Sequence, residues 1–287
     1  MDENYQLKEK WSIPTLAKRP IEAIVDDMLN QIREIRKQYA FSGIGIGSPG
    51  DIDSVNGICC NAGNIPYQNT PLAAIVSEAT QLPVYLANDA TAALYGELYA
   101  GSGKQYQNVI MLTLGTGVGG GIAINGVPYL GSKGLAGELG HLCIKYDGLP
   151  CTCGLTGCYE QYASVNALID QTNEAIRKHP DSLLALQNKD GATGRSAFDA
   201  GKQGCPVAAA VIEQYAEYIA CGINSLEYIF QPDAIIIGGA ISSEEENLLG
   251  PIRRKLFRTK NLFTSALKND AGLIGAAVVA GRMLQQS

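Results

Sequence analysis

Two of the chain's eight cysteines stand as a Cys-x-Cys pair, Cys151 and Cys153, and Cys158 follows after four intervening residues. His141, one of only two histidines, precedes the pair by ten residues. Three thiolates and an imidazole suit tetrahedral zinc, with Zn–S near about 2.3 Å and Zn–N near about 2.0–2.1 Å. Gly154 and Gly157 let the backbone turn tightly enough to aim three sulfurs at one point. The plainer reading, a loop of buried free thiols, makes the position of His141 an accident. Four protein ligands fill the coordination shell, so the ion would be structural and not hydrolytic. Cys59, Cys60, Cys143, Cys205 and Cys221 fall outside the pattern and are not read as ligands.

Carboxylates gather around the same segments. Glu138 lies three residues before His141, and Glu160 lies two after Cys158. If His141 and Cys158 meet at a metal, both glutamates are drawn to that place. Either one alone would be a solvated surface charge. With Asp89, Asn88 and Asn64 they make a set of polar groups suited to sugar hydroxyls. The run Gly115-Thr116-Gly117-Val118-Gly119-Gly120-Gly121 offers successive unencumbered N–H groups to one anion, such as a phosphate. No Gly-Lys-Ser/Thr follows it, which excludes a Walker loop, and a strand follows in place of a helix, which excludes the dinucleotide fingerprint. Standing alone, such a run is as often a plain hairpin.

These groups need elements to hold them. Ile21, Ile24, Val25, Met28, Leu29, Ile32 and Ile35 recur at helical spacing and predict a helix over 20–38. A buried strand over Phe41–Gly47 ends at Ser48-Pro49-Gly50, and Thr70-Pro71 opens a second helix. Pro83–Ala87 reads as another strand, placing Asn88 and Asp89 at its carboxyl end ahead of an Ala-rich helix over 90–100. Ligands in α/β proteins sit at such strand ends. Asn108–Leu114 is a strand, Ile122–Ile124 its return strand, and Asn125-Gly126 a hairpin turn. Helices are expected near 160–178 and 206–230, a strand at Asp233–Ile237 closed by Gly238-Gly239, and a final small-residue helix at Leu273–Leu284. The two strand-then-glycine segments, around 108–121 and 233–239, suggest a duplicated βαβ unit.

A length of 287 residues suits two domains or one large α/β unit, and 46% hydrophobic with 17% charged residues excludes disorder. The net charge of −6 argues against a nucleic-acid partner. No run of about 18 apolar residues is present to span a membrane. The first residues lack the apolar core of a secretory leader, so the cytoplasm is the expected compartment.

The segments LGTGVGGG (114–121), GLAGELGH (134–141), CTCGLTGCYE (151–160) and NDATAALYGE (88–97) resemble the ROK family of sugar kinases and repressors. The resemblance extends from Trp11-Ser-Ile-Pro-Thr to the final helix. It implies an α/β, actin-like ATPase (ribonuclease-H-like) fold of two domains with a ligand cleft between them: a small domain over 1–94 and 271–287, and a large zinc-bearing domain over 95–270. It implies ATP-dependent phosphorylation of a hexose, glucose by default, at the 6-hydroxyl, with Mg2+-ATP as co-substrate. Asp89 would be the catalytic base. Asn64, Asn88, Glu138, His141 and Glu160 would hold the other hydroxyls. Gly115, Thr116, Gly117, Gly119 and Gly120 would form the second phosphate loop, and Gly238 and Gly239 the adenosine contact. His141, Cys151, Cys153 and Cys158 would bind structural zinc, and a homodimer is expected. Family members open with a strand carrying Asp-x-Gly-Gly-Thr ahead of the region matching Asp2–Trp11; here that motif is missing, and truncation with weak or no turnover of this chain is the expectation. A sugar-binding protein without turnover is the rival. A family repressor would bring a helix-turn-helix, which the chain does not display.

Overall fold

The structure is a computed structural model and describes residues 1–2, 5–132, 134–258 and 261–286. The chain runs α1 (Ile21–Arg36), β1 (Ile44–Ser48), β2 (Asp51–Asp53), β3 (Ile58–Asn61), β4 (Gln68–Thr70), α2 (Leu72–Thr80), β5 (Val84–Asn88) and α3 (Asp89–Ala100). It continues with β6 (Val109–Leu114), β7 (Val118–Ile124), β8 (Val127–Pro128), α4 (Glu160–Ala163), α5 (Val165–Lys178), α6 (Leu183–Gln187), α7 (Ser196–Lys202) and α8 (Pro206–Phe230). The last elements are β9 (Ala234–Gly238), α9 (Glu246–Arg253), β10 (Leu262–Thr264) and α10 (Ala271–Gln286). Two compact units result: Met1–Lys104 with Pro128–Ala136 and Asn269–Ser287, and Gln105–Val127 with Gly137–Lys268.

In the first unit, α1 turns Val25 and Leu29 into a core shared with Ile52, Tyr67, Leu72, Val76 and Leu86. Its charged residues keep the other face in water, as the helical period requires. Strands β1 and β5 pair in parallel from Ile44 opposite Val84 to Ser48 opposite Asn88, so both end at the same level. Small residues let α10 lie close on α3: a Cβ at Gly275 would stand 1.6 Å from the Ala92 carbonyl oxygen. That contact explains why the final helix is so poor in large side chains.

In the second unit, a sheet of order β10-β9-β6-β7-β8 carries β10, β9 and β6 in parallel and β7 antiparallel to β6. Every residue of β9 is buried. A parallel strand covered on both faces reads as a continuous apolar run, which is how Ala234–Ile237 appears in the sequence. Helix α8 buries Tyr215, Ile219, Ile223 and Leu226 in this core.

Several expectations change in detail. The glycine run is not a loop over 115–121, because β7 already begins at Val118 and Gly119, Gly120 and Gly121 pair with Thr113, Leu112 and Met111. The two strand-then-glycine segments are parallel neighbours in one sheet, as β6 and β9. The helix foreseen over 160–178 is broken at Ser164, whose extended backbone and side chain, accepting from the Ala167 N–H, start α5 afresh. Strands β2–β4 and β10 and helices α6, α7 and α9 were not foreseen.

Candidate functional site

In the first unit the site residues stand where β1 and β5 end. Asn88 is the N-cap of α3: its Oδ1 accepts from the Ala90 and Thr91 N–H groups at 2.9 and 3.2 Å, and its Nδ2 donates to the Gly50 carbonyl at 3.1 Å. The cap thereby ties the helix start to the Ser48-Pro49-Gly50 turn. The turn is therefore more than the end of a strand, and its place directly after the run Ile44–Gly47 is the sequence signal for it. Asp89, the first residue of α3, is exposed to solvent and accepts from the Ala90 N–H at 2.8 Å. Desolvation by the protein packed around it raises its carboxyl from the ordinary value, outweighing the backbone N–H groups that favour its charged form. A raised carboxyl is the better proton acceptor near neutrality. Asn64 is exposed in the bend between β3 and β4.

In the second unit three pieces converge. Outside the ladder, Gly115, Thr116 and Gly117 make the β6–β7 turn, closed by the Gly115 N–H donating to Gly117 O at 3.0 Å. The Val165 N–H at the start of α5 donates to Gly115 O at 2.8 Å and fixes the turn from outside. The parallel neighbour β9 ends beside it. Gly239, at φ +87°, leads into a 3-10 turn over Ala240–Glu244, and a Cβ there would stand 2.1 Å from Leu114 O. Two glycine turns thus lie at the carboxyl ends of adjacent parallel strands, the place where backbone N–H groups meet anions.

The glycines of β7 serve a different purpose. A Cβ on Gly120 would come within 2.6 Å of Leu139 Cγ and 2.8 Å of Gly137 O. The bare strand therefore receives the segment that carries Glu138, exposed, and His141, on the 3-10 turn Leu139–His141.

That turn delivers His141 to the cysteines. One donor atom from each of His141, Cys151, Cys153 and Cys158 lies within 4.8 Å of the others. His141 Nδ1 is 3.7 Å from Cys151 Sγ, and Cys153 Sγ is 3.6 Å from Cys158 Sγ. Tetrahedral bonds of about 2.3 Å set ligand–ligand edges of about 3.8 Å, so the four donors fit zinc. Burial pushes the Cys158 thiol up to about 12, while the Leu155 N–H holds the Cys153 thiol below the usual thiol range. A thiol that burial keeps protonated is one that a bound cation would deprotonate. Glu160 joins this set to the glycine turn. Its Oε1 accepts from the Cys151 thiol at 3.1 Å and lies 3.9 Å from His141 Nδ1, while its Oε2 would stand 2.7 Å from a Cβ on Gly117.

Of the residues expected to act together, the structure gathers His141, Cys151, Cys153, Cys158, Glu160 and Gly115–Gly117 within the second unit. Asn64, Asn88 and Asp89 belong to the first. Gly119 and Gly120 are ladder residues, while Gly115–Gly117 form the turn between β6 and β7.

Comparison with known proteins agrees with this architecture. A profile of the ROK family matches residues 1–283. A glucokinase of Streptomyces coelicolor is 38% identical over 273 residues, covering 90% of this chain and 86% of the relative. A ROK family glucokinase from Streptomyces griseus, solved with glucose and AMPPNP, superposes with a TM-score of 0.85 at 34% identity, over 98% of this chain and 94% of that one. A xylose repressor of Caldicellulosiruptor bescii is 34% identical over 252 residues, 84% of this chain and 63% of the repressor. The fold is that of the actin-like ATPases, α/β in two units.

Proposed function

We propose that this chain, which belongs to the ROK family, is a glucokinase-like enzyme that transfers a phosphoryl group from Mg2+-ATP to the 6-hydroxyl of a hexose. The observation that carries the reading is Asp89: a solvent-accessible carboxylate with a raised pKa, fixed at a strand end by the cap beneath it. Phosphoryl transfer needs positioned groups and a carboxylate that can accept the attacking hydroxyl's proton. Asp89 takes that proton. Glu138, Glu160 and Asn64 bind sugar hydroxyls, and Asn88 has one amide N–H left for the same use beyond its cap. The Gly115–Gly117 turn binds phosphate through backbone N–H groups, and Gly238 and Gly239 pack the adenosine end.

His141, Cys151, Cys153 and Cys158 would hold zinc, which supplies a fixed structural point and no reaction step. With Nδ1 facing the cysteines, His141 keeps Nε2 for a sugar hydroxyl. The test is a coupled assay with ATP and a panel of hexoses on wild type and Asp89→Asn. Turnover should fall by a factor of about 10²–10⁴ while sugar affinity stays within a few-fold. Near-normal turnover in the variant would remove Asp89 from the role. The likeness to a repressor supports a second reading, a sugar-responsive regulator. Wild type that binds glucose in calorimetry yet shows no transfer from Mg2+-ATP would favour it.

A further inference from the structure

Cys143 lies outside the metal quartet yet directly across a short antiparallel bridge from one of its members, Cys158. The Ile144 N–H donates to Gly157 O at 2.9 Å and the Tyr159 N–H to Leu142 O at 2.7 Å. These two bonds bracket the pair and make it a non-hydrogen-bonded one. In such pairs the Cα atoms stand about 4.5 Å apart and the side chains share a face. Disulfides span Cα separations of about 4.4–6.8 Å. The Cys143 thiol also lies over the opposing segment, since a Cβ on Gly157 would approach its Sγ to 3.3 Å. Cys143 is exposed and Cys158 is fully buried, so an oxidant arriving from solvent meets Cys143 first.

We propose that Cys143 and Cys158 form a reversible disulfide in the presence of hydrogen peroxide, and that this bond withdraws Cys158 from the metal site. The second half rests on the zinc reading above. In the first step the Cys143 sulfur attacks one peroxide oxygen and the O–O bond breaks. The sulfur becomes a sulfenic acid, and the departing hydroxide leaves as water with the proton of the thiol. In the second, the Cys158 sulfur attacks the Cys143 sulfur and the S–O bond breaks. Hydroxide leaves as a second water, taking from solvent the proton that Cys158 gave up on binding metal, and the S–S bond forms. One peroxide is reduced to two waters and two cysteine sulfurs lose one electron each. Three donors then remain where four are needed to close a structural site.

Metal-loaded wild type and Cys143→Ser would be treated with hydrogen peroxide. Zinc release would be followed with a chromophoric chelator, and linkages mapped by mass spectrometry of unreduced digests. Wild type should yield a Cys143–Cys158 peptide and release zinc about tenfold faster than the variant, and dithiothreitol with added zinc should restore it. Release from Cys143→Ser at the wild-type rate would overturn the proposal, as would linkages confined to Cys151, Cys153 and Cys158. Cys143→Thr serves in the same comparison should the serine variant fold poorly. Protein purified without metal would count against the zinc reading alone. The peptide map would still decide the disulfide, and a map without the Cys143–Cys158 peptide would overturn it.

Discussion

Replacing Gly120 with Ala tests whether the glycines of β7 exist to seat the His141 segment. The added methyl would meet Leu139 Cγ at 2.6 Å, Leu139 Cδ1 at 2.7 Å and Gly137 O at 2.8 Å. The leucine could swing aside, but a backbone carbonyl can move only with its chain, and that chain leads through Glu138 to His141. Overpacking of this kind costs about 1–3 kcal/mol. For a unit of this size each kcal/mol lowers Tm by about 2–4 °C, which gives a drop of about 2–12 °C. Gly115 is the internal control: it belongs to the same run, yet a Cβ there meets nothing within 4 Å. Gly115→Ala should therefore leave Tm within the shift of an ordinary surface substitution, about 0.5 kcal/mol. Thermal denaturation followed by circular dichroism, with zinc content by elemental analysis, reads both variants. Gly120→Ala should melt lower and hold less zinc. If it melts with wild type and keeps its metal, the segment does not depend on the bare strand and the reasoning fails.

Chelator-free protein should carry about one zinc ion per chain, and Cys153→Ser should lose it and melt lower; a folded, metal-free wild type would refute the assignment. Because the Asp89 carboxyl is raised, turnover should decline with falling pH at values above the ordinary carboxylate range, as the base becomes protonated. A pH–rate profile whose acid limb sits at the ordinary range contradicts that. By the same sign, ionised Asp89 destabilises the folded state above its raised pKa, so Asp89→Asn should be stabilising at neutral pH, with the gain shrinking in acid. Asn88→Ala should cost about 1 kcal/mol in chemical denaturation through the lost cap, and Asn88→Asp, which keeps an acceptor, clearly less.

The cluster of His141 with Cys151, Cys153 and Cys158 was legible because its signal is local: three cysteines and a rare histidine fall within eighteen positions. The end of β5 was legible for a similar reason, since Pro83 stands just ahead of the strand and an alanine-rich run follows Asp89. The glycine run was not resolved, because glycine reports only that a side chain is unwelcome. At Gly239 the backbone turns through positive φ, whereas at Gly120 a neighbouring segment needs the space. Asn88 hides a second use in the same way, for capping becomes visible only when the Ala90 and Thr91 N–H groups are located. The hairpins over 51–70 were missed because Asp51-Ile52-Asp53 and Gln68-Asn69-Thr70 are too short and polar to show a period.

What a metal would do for the second unit follows from how little else secures the loop that carries Cys151 and Cys153. Tyr146, Leu149 and Leu155 are 94%, 52% and 59% exposed, so this loop gains little from burying its own apolar side chains. Its protein anchors are the bridges of Cys143 with Cys158 and Pro150 with Thr156, and the Leu149 N–H donated to Tyr162 Oη at 2.7 Å. Glu160 begins immediately beyond that loop and spans the distance from Cys151 to the Gly115–Gly117 turn. Cross-linking His141 to the three cysteines through a metal would therefore fix the chain on both sides of Glu160's carboxylate: the 3-10 turn on one, the start of α4 on the other. A kinase gains most from groups that need not be ordered at the moment of reaction. A structural ion placed here spends its binding free energy on that order, and its loss should loosen Glu160 against the glycine turn well before the sheet beneath, whose strands carry their own buried core, gives way.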